Sequence, residues 1–178
     1  VSYVLDGGVQ PNPVLSKVRD SIACVRENDC DGILAVGGGS VLDSAKAVGI
    51  GALYEGDVWD FFCGKAQPKS CMPIGSVLTL PAAGSEGSGC AVITNEQTMQ
   101  KSDPVFPVMR VQFCIMNPEL TFTLPAYQTA AGATDMFSHV LERYFTNTPV
   151  VLMNRLAEQT LKAILQVAPA VLAQPQNY

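Results

Sequence analysis

The chain has 178 residues, of which 48% are hydrophobic and 15% charged; this supports a real core and excludes a disordered, collagenous or low-complexity polymer. Eleven basic residues against sixteen acidic ones give a net charge of −5 without any Lys/Arg cluster, so the electrostatic footprint of a nucleic-acid binder is absent. A single histidine, His139, excludes a multi-histidine metal site built by this chain alone.

In chain order, residues 1–5 read as a short strand, and the Gly/Pro cluster at 7–13 as a turn that feeds a helix from about Val14. In that helix Val14, Val18, Ile22 and Val25 recur on one face, and the Asn28, Asp29, Asp31, Gly32 cluster ends it. Residues 32–36 form a short continuous apolar run, the pattern of a strand buried on both faces. Helical periodicity then returns from Ser40 to Ala52, so the first fifty residues alternate strand and helix.

A second apolar run at 74–80 delivers another loop rich in small residues before a strand-like stretch at 90–94, and 111–116 predicts one more strand. After Leu124 and Pro125 the pattern becomes helical. One helix is predicted at about 126–144. A second is predicted at about 150–172, with Leu152, Leu156, Leu161, Ile164 and Leu165 on its buried side. The expected organisation is an α/β domain at 1–124, followed at 125–178 by the start of an all-helical domain.

Six cysteines at 24, 30, 63, 71, 90 and 114 include no C-x-x-C pair and no disulfide framework, and are read as reduced. With no signal-peptide pattern at the start, and no apolar run near the roughly 20 residues that span a bilayer, a cytoplasmic protein with no membrane partner is expected.

Three motifs carry chemistry. Gly37, Gly38, Gly39 and Ser40 follow a predicted strand and open a helix, where backbone N–H groups and the helix dipole favour an anion. The G-x-G-x-x-G fingerprint is not met, because Leu42 stands where the third glycine belongs. The competing reading is a tight turn in which Ser40 caps the helix and Asp43 completes a capping box. The second motif, residues 79–88, offers hydroxyls and exposed backbone that suit the sugar and phosphates of a dinucleotide. It also contains Ala83-Gly84-Ser85-Glu86-Gly87, a near match to a serine-hydrolase nucleophile elbow; that elbow needs a following helix, whereas Gly87, Gly89 and a β-like stretch follow Ser85. In the third, Asp135 and His139 fall one turn apart on a predicted helix and can grip one divalent cation. Two ligands are too few for a stable site, and spacing alone favours a buried histidine hydrogen-bonded to the aspartate.

Taken together, Gly8-Val-Gln-Pro-Asn-Pro13, residues 34–43, residues 78–86, Asn117-Pro118 with Thr123-Leu-Pro125, and Gly132 through His139 resemble the iron-containing (group III) alcohol dehydrogenase family, most closely its butanol-dehydrogenase-like branch of NADP-dependent aldehyde reductases. The resemblance covers essentially the whole chain. It implies that the α/β domain is a Rossmann-like nucleotide-binding domain, incomplete at its N-terminus, with the active site in the cleft between it and the helical domain. Gly38, Gly39 and Ser40 would hold the pyrophosphate of NADP or NAD, Asp43 would face the nicotinamide, Thr79 and Ser88 would contact phosphate or ribose, Asn12 would line the nucleotide cleft, and Lys101 would reach the nicotinamide ribose. Asp135 and His139 would be two ligands of a divalent metal, iron or zinc, acting as a Lewis acid on an aldehyde or alkoxide oxygen during hydride transfer. Asp43, Asp135 and His139 are thus the candidate catalytic residues.

The same resemblance implies a small-molecule alcohol or aldehyde substrate and a homodimer. It also implies an internal piece: family members carry an additional strand-and-helix unit before this start, and two further metal-binding histidines beyond this end. The expected activity is NAD(P)-linked, metal-dependent interconversion of primary alcohols and aldehydes, with the isolated piece inactive. The alternatives are a non-catalytic nucleotide-binding remnant and a serine hydrolase using Ser85.

Overall fold

The structure is a computed structural model that describes residues 1–148 and 150–176. It divides into two compact units: Val1–Thr79 with Gly84–Met116, and Leu80–Ala83 with Asn117–Tyr178.

The first unit is α/β. Helix α1 (Leu15–Glu27) buries Leu15, Val18, Ser21 and Ile22, one stripe at helical spacing. In its last turn, Arg26 reaches Gly51 O at 2.9 Å and Ala52 O at 3.2 Å, the terminal carbonyls of α2 (Gly39–Gly51), where a cation complements the helix dipole. α2 is enclosed almost all round, with every residue from Ser44 to Gly51 buried. A one-turn helix α3 (Trp59–Phe62) closes the apolar cluster with Phe61 and Phe62.

Between these helices run the strands of a parallel sheet, β1 (Ile33–Gly37), β2 (Ile74–Leu78) and β5 (Phe113–Ile115), in the order β1-β2-β5. Ile33 pairs with Ile74 and Gly37 with Leu78; Gly75 pairs with Phe113. A small antiparallel hairpin, β3 (Ile93–Asn95) with β4 (Gln100–Ser102), joins the main core through Ile93. Leu15, Leu42, Ile50, Ile74, Ile93 and Met109 are each no more than 1% exposed. Each such side chain contributes roughly 1.5–3 kcal/mol by leaving water.

The second unit consists of α4 (Ala126–Tyr144) and α5 (Val151–Ala173), packed along each other and tied by Tyr144 Oη donating to Glu158 at 3.2 Å. Pro169 lies inside α5, removing one backbone donor from its last turns.

Several expectations are corrected. Residues 1–5 form no strand; this exposed stretch has no pairing partner among the described residues. β1 is not buried on both faces: Leu34 and Val36 are 59% and 57% exposed, in register with Phe113 and Ile115 of β5 at 55% and 51% through Gly75 and Val77 of β2. One side of the sheet packs on α2 while the other presents an apolar row. The buried side predicted for α5 is also wrong in part. Leu152, Leu156 and Leu165 are exposed, and only Leu161 and Ile164 of that set are half-buried, because among the described residues of this unit α4 is the one long helix against α5. The strand stretch at 90–94 shortens to β3, with Cys90 making only an isolated bridge to Val105.

Candidate functional site: a glycine turn with a braced second loop

β1 ends at Gly37 and α2 begins at Gly39, so the chain turns from strand to helix within three glycines. A side chain on Gly37 would lie 2.6 Å from Val41 Cγ2, inside contact distance; only a hydrogen fits there. Gly38 is the N-cap, with no side chain capping it, and a Cβ on Gly39 would meet nothing within 4 Å. The first turn of α2 therefore presents N–H groups at an open helix N-terminus, the geometry that favours a phosphate. The capping-box alternative is excluded. Ser40 lies inside the helix, its carbonyl accepting from Ser44 Oγ at 2.9 Å, and the Asp43 carboxylate is used elsewhere.

Thr79 closes β2 beside this turn, its N–H donating to Gly37 O at 3.1 Å. The loop that returns to the first unit starts at Gly84, whose φ of +71° is left-handed backbone natural to glycine, and passes through a 3₁₀ turn at Ser85–Gly87. Ser88 is half-buried, and its Oγ accepts from the Cys90 N–H at 3.3 Å.

Asp43 lies one helical turn into α2 and faces this loop. One carboxylate oxygen accepts from Ser85 Oγ at 2.6 Å and the other from the Val92 N–H at 3.1 Å. Burial raises its pKa above the ordinary carboxylate value, opposed by the Ser85 and Val92 hydrogen bonds and the nearby Lys46 charge. Lys46, one turn further, is fully buried, and burial pulls its pKa down against the pull of Asp43. Its ammonium donates to Ser85 O at 2.6 Å, Ser85 Oγ at 2.9 Å and Cys90 O at 2.8 Å. Lys46 did not figure among the candidate residues. The available signal was a lone lysine in the otherwise small and apolar run from Ala45 to Ile50, three residues after an aspartate.

Asn12 and Lys101, 89 residues apart, meet at the surface of the same unit, with Lys101 Nζ donating to Asn12 Oδ1 at 3.0 Å. Asn12 holds a left-handed φ of 57°, a conformation asparagine tolerates better than most residues.

In the second unit, Asp135 and His139 lie one turn apart on α4, with 3.7 Å between Asp135 Oδ1 and His139 Nε2 and side-chain exposures of 43% and 48%. The alternative of a buried, hydrogen-bonded pair is overturned: the pair is half exposed and too far apart for a hydrogen bond. Among the described residues, no cluster of three or more His, Cys, Asp or Glu could hold a metal. Two donors suit two neighbouring positions of a divalent ion and do not by themselves complete its shell. An apolar cavity of about 380 Å³ in this unit, lined by Leu80, Leu124, Met136 and Ile164 among others, contains no charged residue.

Nor does the arrangement around Ser85 form a hydrolase site. Its hydroxyl is 7% exposed and engaged by Asp43 and Lys46, and a 3₁₀ turn replaces the helix a nucleophile elbow requires.

A parallel strand running through a glycine turn into an uncapped helix, with a second loop alongside, defines a Rossmann-like nucleotide-binding α/β unit. A family model described as "Iron-containing alcohol dehydrogenase" matches residues 1–118, and the chain belongs to that family. It is 44% identical over 174 residues to the probable NADH-dependent butanol dehydrogenase 1 of Bacillus subtilis, covering 96% of this chain and 44% of the relative. It is 38% identical over 178 residues to the NADPH-dependent aldehyde reductase YqhD of Escherichia coli, covering 97% and 46%. The crystal structure of the NADH-dependent butanol dehydrogenase A of Thermotoga maritima superposes with a TM-score of 0.93 at 45% identity, over 96% of this chain and 43% of that one. The chain thus spans less than half the length of these relatives. All six cysteines are free thiols, and no helix among the described residues is long and apolar enough to cross a membrane.

Proposed function

We propose that this chain supplies the nucleotide-binding part and two metal ligands of an NAD(P)-linked oxidoreductase that interconverts primary alcohols and aldehydes. The observation that carries the reading is the open N-terminus of α2 at Gly38, Gly39 and Ser40, in a chain of the iron-containing alcohol dehydrogenase family. The pyrophosphate would rest on those N–H groups. Thr79 and Ser88 would offer hydroxyls to phosphate or ribose, Asn12 would line the nucleotide cleft, Lys101 would reach the nicotinamide ribose, and Asp43 would face the nicotinamide end. The bound nicotinamide supplies or accepts the hydride. The names of the relatives include both NADH and NADPH, so both cofactors are candidates.

Asp135 and His139 would hold an iron or zinc ion whose remaining ligands come from outside the described residues. In this reading the domains fall at 1–124 and 125–178, the protein acts as a cytoplasmic homodimer, and the 178 residues alone bind nucleotide without turning over aldehyde.

The test is a fluorescence titration with NADH and with NADPH, paired with an assay of butanal reduction followed by loss of reduced-nicotinamide absorbance. Saturable binding of at least one nucleotide is expected, with turnover only once the metal shell is completed. Absence of saturable binding to either nucleotide defeats the proposal, and turnover by the 178-residue chain with stoichiometric metal defeats its incomplete-site part.

A further inference from the structure

Beside the glycine turn, a buried lysine and a half-buried aspartate share one serine hydroxyl, and Asp43 is the one candidate nucleotide contact in this network. Lys46 is fully enclosed, and its three N–H donors all go to residues 85–90, one to the Ser85 hydroxyl and two to backbone carbonyls. On the same face of α2, Asp43 takes the Ser85 hydroxyl proton and the Val92 N–H. Ser85 Oγ is thus the centre of a relay, accepting from Lys46 and donating to Asp43. Arg110 is a third residue holding this segment, donating to Gly87 O at 3.1 Å.

Burying an ammonium is costly unless it is paired and fully hydrogen-bonded, and an apolar side chain of similar length would fill the same volume without that cost. What the charged hydrogen-bond network adds is direction: it fixes one loop backbone in one place. Asp43 stands one turn, about 5.4 Å, from the open end of α2. The loop it holds carries Ser88 and is therefore pinned next to the anion-binding turn.

We propose that Lys46 and Ser85 are positioning residues for the nucleotide: without touching it, they lock the loop of residues 84–92 against α2 so that both loops are organised before the cofactor arrives. This rests on the nucleotide reading above. A loop held in its bound conformation spends no binding free energy on being ordered, so releasing it should appear in affinity.

The experiment measures NADH and NADPH affinity by fluorescence, and melting by circular dichroism, for the wild-type protein and for K46M, K46R, S85A and K46M/S85A. K46M should weaken binding by about 10- to 100-fold, the range expected when a supporting group lets a binding element shift. S85A should weaken it in the same direction by less, and the double variant should lose less than the product of the two single losses, since both act through one network. K46R, which keeps the charge and changes the shape, should retain more affinity than K46M, which keeps the shape and loses the charge; a purely packing role predicts the reverse order.

Wild-type affinity in folded K46M and S85A overturns the proposal, as does a lowered melting temperature with unchanged affinity. If K46M fails to fold, S85A, which removes one oxygen atom, decides the outcome by the same criterion. Wild-type protein that binds neither nucleotide overturns the nucleotide reading and this proposal with it, whereas wild-type binding matched by S85A overturns this proposal alone.

Discussion

The two units bury their apolar residues to different degrees. The α/β unit closes on itself: α2 is enclosed from Ser44 to Gly51, and among the described residues no buried side-chain nitrogen or oxygen lacks a partner. The helical unit does not. Gly132 is the one buried residue of α4, α5 has none, and leucines stand exposed along its length. Amphipathic helices acquire a buried face only when something lies against each apolar stripe. Two helices cover one stripe each and leave the rest of the apolar surface open. The unit with the glycine turn therefore carries its own rigidity, while Asp135 and His139 stand on a scaffold that is half covered.

Substitutions can break this contrast, and the largest effect is expected in the enclosed unit. Leu42 is 0% exposed and packs with Ala35, Ala45, Ile74 and Leu78. Leu42→Ala should cost about 2–5 kcal/mol in urea unfolding, from lost transfer free energy plus the cavity left behind. A cost below about 1 kcal/mol would show that this core is looser than its burial implies.

Next in size is Gly37→Ala. The new methyl would press on Val41 at the first turn of α2, so about 1–3 kcal/mol of destabilisation is expected, together with weaker nucleotide binding as the turn is displaced. Shortening the obstructing side chain in Gly37→Ala/Val41→Ala should return part of both losses; if it returns neither, the clash is not the cause.

A smaller effect is expected at the surface of the same unit. Arg19 grips Asp57 with two hydrogen bonds of 2.8 and 3.0 Å, tying α1 to the start of α3, and the Arg19 hydrogen bond holds the Asp57 pKa below its ordinary 3.8. A depressed carboxylate pKa means the stabilisation is complete above about pH 3.8 and is lost as pH falls through the lower, folded value. Both side chains are over 40% exposed, so solvent screening limits the contribution to about 0.2–1 kcal/mol. Asp57→Asn should lower stability by that amount at pH 7 and leave it unchanged relative to wild type well below pH 3. A constant difference across that range would mean that the pair is not what stabilises the contact.

The smallest effect is expected in the helical unit. Leu165 is 63% exposed, and Leu165→Ala should change stability by no more than about 0.5 kcal/mol in the 178-residue chain, against several for Leu42→Ala. A large loss at Leu165 would show that α5 is covered in solution, by a second copy of the chain or by another segment, and would remove the contrast between the units.

Much of this was legible before any coordinates. Continuous apolar runs marked β1 and β2, three-to-four spacing marked α1, α4 and α5, and α4 falls at 126–144 as its pattern predicts, because such periodicities reflect local backbone geometry. The glycines at 37–39 announced a turn where a backbone must come close to something. The motifs also pointed to the family, which the matching residues 1–118 bear out.

What the pattern could not show is which apolar face finds a partner. Residues 1–5 have strand composition but, among the described residues, no neighbouring strand to pair with. Leu34, Val36 and Leu165 look like core residues and are exposed, because burial depends on what packs against a face and not on the face itself. Nor could spacing show that Ser85, read as a possible nucleophile, lies between Asp43 and Lys46. That contact joins residues about forty positions apart, and only the folding of β2 alongside β1 and the return of the chain at Gly84 bring them together. The sequence by itself determined the elements, the glycine turn and the lineage of the chain. The tertiary structure alone decided which charge is buried and what it holds, since a buried, fully hydrogen-bonded ammonium exists only where distant segments have already excluded water.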